Sequence, residues 1–226
     1  MFVVSLVGQK GGTGKTTVAL GLAVAAAHAG HTVAVIDLDP QATASKWKYR
    51  RAEEKPAVVS AQASRLKPAL DVARSSGADF VIIDSAGRSD DSALAAARAA
   101  DLILIPTRAS ILELEILPAV TDLLRIVGGM VRSFVVLNGL HPSAGSAGIE
   151  EARQMIANVY GLANCPAHLC QRSAYTEAMI FGASPQERDP DGKAGQKLRK
   201  LFQFVSERST LRTVEQSTLR TVELTG

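Results

Sequence analysis

The 226-residue sequence predicts a single α/β domain: a doubly wound, mostly parallel β-sheet with helices on both faces. Three observations carry this expectation. Short, near-continuously apolar runs recur along the chain, as strands buried on both faces require. Longer stretches with helical character separate them, and no Pro-, Gly- or Ser-rich linker divides the chain.

Taken in order, the first run covers residues 2–7 and leads through a glycine-rich turn into a helix over 16–29. A second run at 32–36 ends in two aspartates and a turn. Residues 46–55 form a charged patch that holds the only tryptophan. A helix over 64–75, a strand over 80–83, a helix over 90–99 and a strand over 102–105 follow. The pattern continues with a helix over 111–127, a strand over 133–137, a helix over 149–160 and a short run at 167–169. A basic last helix is expected to end near Glu207, closing a domain of residues 1–207. Residues 208–226 carry an eight-residue tandem repeat, STLRTVEQ then STLRTVEL, whose Thr and Val content disfavours a free helix, so a loose tail is expected.

Composition excludes several classes of function. Hydrophobic residues make up 46% and charged residues 21%, so the chain is not a disordered one. Aromatics are only 4%, too few for a stacking platform for single-stranded nucleic acid. A formal charge of +3 is too mild to argue for a polyanionic partner unless the charges cluster. Met1 leads directly into a strand, and no stretch reaches the roughly 18 apolar residues that span a bilayer. A cytoplasmic chain without membrane attachment is expected. Cys165 and Cys170 read as free thiols rather than cluster ligands, and the four histidines are too scattered for a zinc set.

The turn after the first strand reads Gly8-Gln9-Lys10-Gly11-Gly12-Thr13-Gly14-Lys15-Thr16-Thr17. Glycines let backbone N–H groups converge on phosphate oxygens, and the following helix N-terminus adds positive potential. Lys15 is placed to reach the β- and γ-phosphates, and the Thr16 hydroxyl to bind Mg²⁺. These features specify a P-loop NTPase fold. Gln9 stands where the Walker pattern has its first glycine, and a second lysine, Lys10, enters the loop.

On KGGTGKTT, VAVIDLDPQATASKW (33–47), FVIIDSAG (80–87) and a C-terminal pattern from Arg172 through Asp189-Pro190 to Lys193, the sequence resembles the deviant Walker ATPases of the ParA/MinD group, above all the small ParA-type DNA-partition proteins. The resemblance covers about residues 1–205. It implies an ATP-dependent homodimer in which Lys10 crosses to the partner subunit's ATP. It also implies non-specific DNA binding, a nucleoid-associated location, and hydrolysis stimulated by a ParB-like or other small DNA-binding adaptor. Asp39 then positions the attacking water, Asp37 lies near the Mg²⁺ shell, and Asp84 ends a Walker B strand ahead of a switch at residues 85–87.

By the same resemblance Asn138 pairs with the edge of adenine. Many relatives follow this Asn with Arg, where this chain has Gly139. Pro106-Thr107-Arg108 ends another strand beside the site, and Arg108 reads equally well as a surface charge. Lys193, Lys197, Arg199 and Lys200 form the candidate DNA face, with Arg172 near it. Two other readings stay open: an ATPase that positions a non-DNA cargo, as MinD-like proteins do, and a biosynthetic enzyme built on the same loop.

Overall fold

The computed structural model describes residues 1–87 and 90–225. Its chain order is β1 (Phe2–Leu6), α1 (Lys15–His28), β2 (Val33–Asp37), α2 (Thr43–Arg50), β3 (Ala57–Ser60), α3 (Leu66–Ser75), β4 (Phe80–Asp84), α4 (Asp90–Ala99) and β5 (Leu102–Thr107). There follow α5 (Ile111–Leu114), α6 (Leu117–Ile126), β6 (Ser133–Leu137), α7 (Ser146–Tyr160), β7 (Ala163–Asn164), α8 (Ser173–Ile180), α9 (Pro185–Arg188) and α10 (Lys193–Thr225). The strands form one seven-stranded sheet in the order β3-β2-β4-β1-β5-β6-β7. Every pairing is parallel.

Successive residues of a strand point to opposite faces, so the sheet carries two cores. Val4, Leu6, Val35, Ile82 and Leu104 face α1 and α10 on one side. Val3, Val7, Ile36, Val81, Ile83 and Ile105 face α3, α4, α6 and α7 on the other. This is why the predicted strands read as continuous apolar runs instead of alternating ones.

The sequence expectations differ from the structure at several points, each for a local reason. β3 is an edge strand with mostly exposed residues, so it has no apolar run to betray it. The run at 167–169 is not a strand, although Leu169 N–H donates to the Leu137 carbonyl at 2.8 Å and so continues the edge beyond β7. The helix expected over 111–127 is two helices, with Pro118 in the first turn of the second, where a missing N–H costs nothing.

The last helix does not stop near Glu207 but continues through Thr225. The hydroxyls of Ser209, Thr210 and Thr213 bond back to carbonyls three or four residues earlier, so they are satisfied within the helix without stabilising it. The start of the repeat also packs. The Arg208 guanidinium lies 4.6 Å from the centre of the Phe134 ring, and Arg212 pairs with Asp101 at the base of β5. Side chains from position 215 onward lie outside the described residues.

The charged patch at 46–55 has a structural use. Trp47 is fully buried and donates from Nε1 to the Ala183 carbonyl at 3.0 Å. The Arg51 guanidinium lies 4.7 Å from the Trp47 ring centre and donates to both oxygens of Glu187, at 3.0 and 2.6 Å. The turn between α8 and α9 closes against this network at Gly182, whose φ is +62° and whose Cβ, if present, would lie 2.4–2.6 Å from the Arg50–Arg51 backbone. Gly182→Ala is therefore expected to cost about 3 kcal/mol or more, against about 1 kcal/mol for Gly30→Ala, where φ is +91° but nothing lies nearby. Urea midpoints of the two variants check this, and equal losses would refute the close approach.

Candidate phosphate site

β1 delivers the chain at the carboxyl edge of the sheet, and the loop 8–14 turns it into α1. Gly14 caps that helix at φ +89°, and a Cβ there would lie 2.3 Å from Asn138 Nδ2, so only glycine fits. Asn138, just beyond β6, donates from Nδ2 to the Thr13 carbonyl at 2.7 Å and so braces the loop from the far side. The first N–H groups of α1 lack partners within the helix and face the loop. Lys15 is buried at the helix start and donates to the Lys10 carbonyl at 2.9 Å. Burial lowers its pKa, while Asp84 and Asp39 pull it back up.

The carboxylates stand at one level because of strand register: Asp84 lies opposite Leu6 on β1 and opposite Asp37 on β2. Asp84 is 1% exposed, and neither of its oxygens makes a full hydrogen bond among the described residues, the Thr16 hydroxyl being the one side-chain donor that acts on it. Burial pushes its carboxyl up to about 7, with Asp37 and Asp39 adding to the rise and Thr16 and Lys15 opposing it. The Thr13 hydroxyl is buried without a partner among the described residues. Orphaned buried polar groups of this kind point to a missing ligand.

A phosphate-bound Mg²⁺ fits this donor set, with Thr16 and Asp84 as its candidate holders. Gly87, at the end of the segment 85–87, closes over the same cradle. A Cβ there would lie 2.9 Å from both the Lys10 carbonyl and Lys15 Nζ. Ser85 anchors this segment by donating to the Leu6 carbonyl at 2.7 Å.

Asp37, expected from sequence near the Mg²⁺ shell, stands in register with Asp84, and its oxygens are engaged by backbone. Its oxygens accept from the N–H groups of Asp39 and Ala44, both at 3.0 Å, and of Ser45 at 3.3 Å. It thus holds the turn into α2, and burial outweighs these bonds in raising its pKa. Asp39 lies half-exposed on that turn and accepts from the Gln41 N–H at 2.9 Å. The same turn keeps Ala42 at φ +51°, a costly conformation for a residue with a side chain.

Lys10 extends from the loop to Glu113 at 2.8 Å, within its own subunit. Arg108, which sequence reasoning left undecided, reaches the loop and donates from Nη2 to the Gly12 carbonyl at 3.2 Å. No spacing signal linked Arg108 or Glu113 to the loop; only the fold brings β5's end beside it.

The expected DNA face is split by helix geometry. Lys193, Lys197 and Lys200 lie along one stripe of α10, whereas Arg199 projects from another face and donates to the Pro190 carbonyl. Lys197 Nζ sits 2.8 Å from His168 Nε2. Burial, then Lys197, Arg153 and Lys200, depress the His168 pKa, so it meets the lysine as a neutral acceptor. The pKa of Lys197 is lowered by its own burial first, then by Lys200, Arg153 and Arg172, with Cys170 opposing. Two of these cations, Arg153 and Arg172, act on Lys197 from outside the helix. Cys165 is buried, with its thiol pushed up to about 11 by burial, and is unreactive. Among the described residues no group of three or more His, Cys, Asp and Glu is placed to hold a metal by itself.

The raised pKa of Asp84 sets a sign for stability. The folded state holds the proton more tightly than the unfolded chain, so ionisation weakens folding as pH rises from 3.8 through about 7. In nucleotide-free protein with EDTA, Asp84→Asn is expected to be more stable than wild type at about pH 8. The difference should shrink below about 7 and close near 3.8. Urea unfolding across pH checks it, and a pH-independent difference would mean that Asp84 does not titrate in this range.

Residues 4–185 match the family model described as the CobQ/CobB/MinD/ParA nucleotide binding domain. Over 118 residues the chain is 37% identical to the maintenance of carboxysome distribution protein A of Gloeobacter kilaueensis, covering 51% of this chain and 53% of that protein. It is 30% identical over 112 residues to protein virC1 of Rhizobium rhizogenes, 47% of this chain and 48% of that one. The chain thus spans about half the length of the curated relatives it matches. Among solved structures, the MinD cell division protein of Aquifex aeolicus superposes with a TM-score of 0.74 at 17% identity, over 92% of this chain and 98% of that one. The ATP complex of Cyanothece McdA gives 0.63 at 20% identity, over 93% and 96%. With the family model spanning most of the sheet and the whole phosphate loop, the chain belongs to the CobQ/CobB/MinD/ParA nucleotide-binding family.

Proposed function

We propose that this protein is an ATPase of DNA partition: it binds ATP with Mg²⁺, pairs face to face with a second copy, holds DNA without sequence preference, and lets go on hydrolysis. The observation that supports the DNA half of this reading is the spacing of Lys193, Lys197 and Lys200 along one stripe of α10. Such a surface neutralises backbone phosphates and reads no bases.

Bound Mg²⁺ neutralises charge on the phosphates and orients them. The chain's own groups do the rest. The loop amides and Lys15 hold the phosphates, with Thr16 and Asp84 toward the cation, and the lack of a side chain at Gly87 lets its backbone approach Lys10 and Lys15 closely. Asp39, on the turn that Asp37 fixes, orients the attacking water; phosphoryl transfer needs that alignment more than a strong base. Lys10 contributes across the dimer, and to do so it must leave Glu113. A ParB-like or other small DNA-binding adaptor is the partner that stimulates release, and the nucleoid is the location this activity implies.

The relative named for carboxysome distribution favours a second reading, in which the same cycle positions a non-DNA cargo. No described helix is long and apolar enough to cross a membrane. Binding to random-sequence duplex DNA with ATP, with ADP and without nucleotide separates the two. Partition predicts tight, salt-sensitive binding with ATP alone. It also predicts that Lys197→Ala with Lys200→Ala weakens binding about tenfold or more and flattens the salt slope by about two. ATP-driven dimerisation without DNA binding would favour the cargo reading.

Asp39→Ala is expected to keep ATP affinity within about twofold while turnover falls roughly a hundredfold, trapping an ATP-bound dimer. Equilibrium binding beside steady-state phosphate release measures both, and unchanged turnover would remove Asp39 from the mechanism.

A further inference from the structure

The phosphate site has a direction. Asp84 and Asp39 lie on the β4 and β2 side of β1, so the terminal phosphate faces that way. Whatever the phosphates are attached to must then extend over the opposite side, above the ends of β5 and β6. Two side chains from those ends touch the loop: Asn138 at the Thr13 carbonyl and Arg108 at the Gly12 carbonyl.

Arg108 reaches that carbonyl by running across Gly139. A Cβ at Gly139 would lie 3.5 Å from Arg108 Nε, 3.7 Å from its Cγ and 3.8 Å from its Cδ, in ordinary contact along the whole stem. Gly139 has φ +65°, so the position disfavours any side chain of its own. The stem of Arg108 fills the space instead. Arg108 is exposed, and its guanidinium is tied to the loop at Nη2, beside the strand ends over which the nucleoside must extend. A planar cation fixed in this way suits the face of an aromatic base.

We propose that Arg108 is the base-covering residue of the nucleotide site: its guanidinium stacks on the purine ring while Nη2 holds the phosphate loop, its stem lying in the space that Gly139 leaves empty. The proposal rests on the loop being a nucleotide site.

Calorimetric binding of Mg-ATP, Mg-ADP and Mg-tripolyphosphate to wild type, Arg108→Ala and Arg108→Lys tests it. The expected result is an approximately tenfold loss of ATP and ADP affinity in Arg108→Ala with tripolyphosphate binding unchanged. Arg108→Lys, which keeps the charge without the planar face, should recover little of that loss. Equal losses of ATP and tripolyphosphate would overturn the proposal in favour of a loop brace or phosphate contact. No loss of either would make Arg108 a surface charge and also overturn it. If wild type bound tripolyphosphate but not ATP, base recognition would be refuted while the phosphate site stood. Binding of neither would refute the nucleotide site and the proposal with it.

Discussion

The position of β4 between β1 and β2 is the constraint on which the site depends. Its register sets Asp84 opposite Leu6 and Asp37, at the level where the phosphate loop leaves the sheet. Because β1 and β4 are buried on both faces, a one-residue slip would exchange the residues of the two cores and move Asp84 out of line with the loop. Hydrophobic burial therefore does the positioning. Val81 and Ile83 pack to one side and Phe80 and Ile82 to the other, leaving the strand no second way to sit. The chemistry at the sheet's edge is held by residues that take no part in it.

Two aspartates at that edge share a depth and have opposite surroundings. Asp37 has three backbone N–H groups on its oxygens, whereas Asp84 has only the Thr16 hydroxyl acting on it. A buried carboxylate so poorly compensated is costly, and a fold stable enough to carry one keeps it for a cation or a proton. Asp37 instead spends its charge on geometry. It ties Asp39, Ala44 and Ser45 into one turn, and the left-handed Ala42 shows how tightly that turn is drawn. Asp39 is the group left facing outward, so the water-orienting role assigned to it depends on the carboxylate buried beneath it.

What could be read in the sequence follows from what each signal requires. Strands buried on both faces reveal themselves as apolar runs, and the phosphate loop by its glycines and lysines, so β1, β2, β4, β5, β6 and the residues from Gly11 to Thr17 were legible. β3 lies at an edge and is mostly exposed, which removes the run. The different uses of Asp37 and Asp84 could not be separated, because both are an Asp ending an apolar strand. Arg108 and Glu113 are joined to the loop only through the β1–β5 pairing, a contact between segments about a hundred residues apart. Thr and Val in the repeat disfavour a free helix, whereas the tail helix is anchored at its start through Arg208 and Arg212, a tertiary contact that propensity does not register.

The helix α2 joins the turn at Asp39 to the segment that leads into α10 through contacts of very different kinds. At its start the N–H groups of Ala44 and Ser45 are held by Asp37 beneath the nucleotide-facing turn. At its end Arg51, with a side chain 3% exposed, donates to Glu187 and to the Gly182 carbonyl, in the segment that leads into α10. Burial pushes the Glu187 carboxyl up, but the hydrogen bonds and charge of Arg51 outweigh it and hold the group below its usual value. Trp47 fills the space between these ends and bonds to Ala183. A segment whose charge suggests a solvated surface is thus the frame that fixes the Asp39 turn relative to the base of the basic helix. Its arginine and its tryptophan matter for where they hold other groups, and the charged letters KWKYRR read very differently once two of them are seen to be buried.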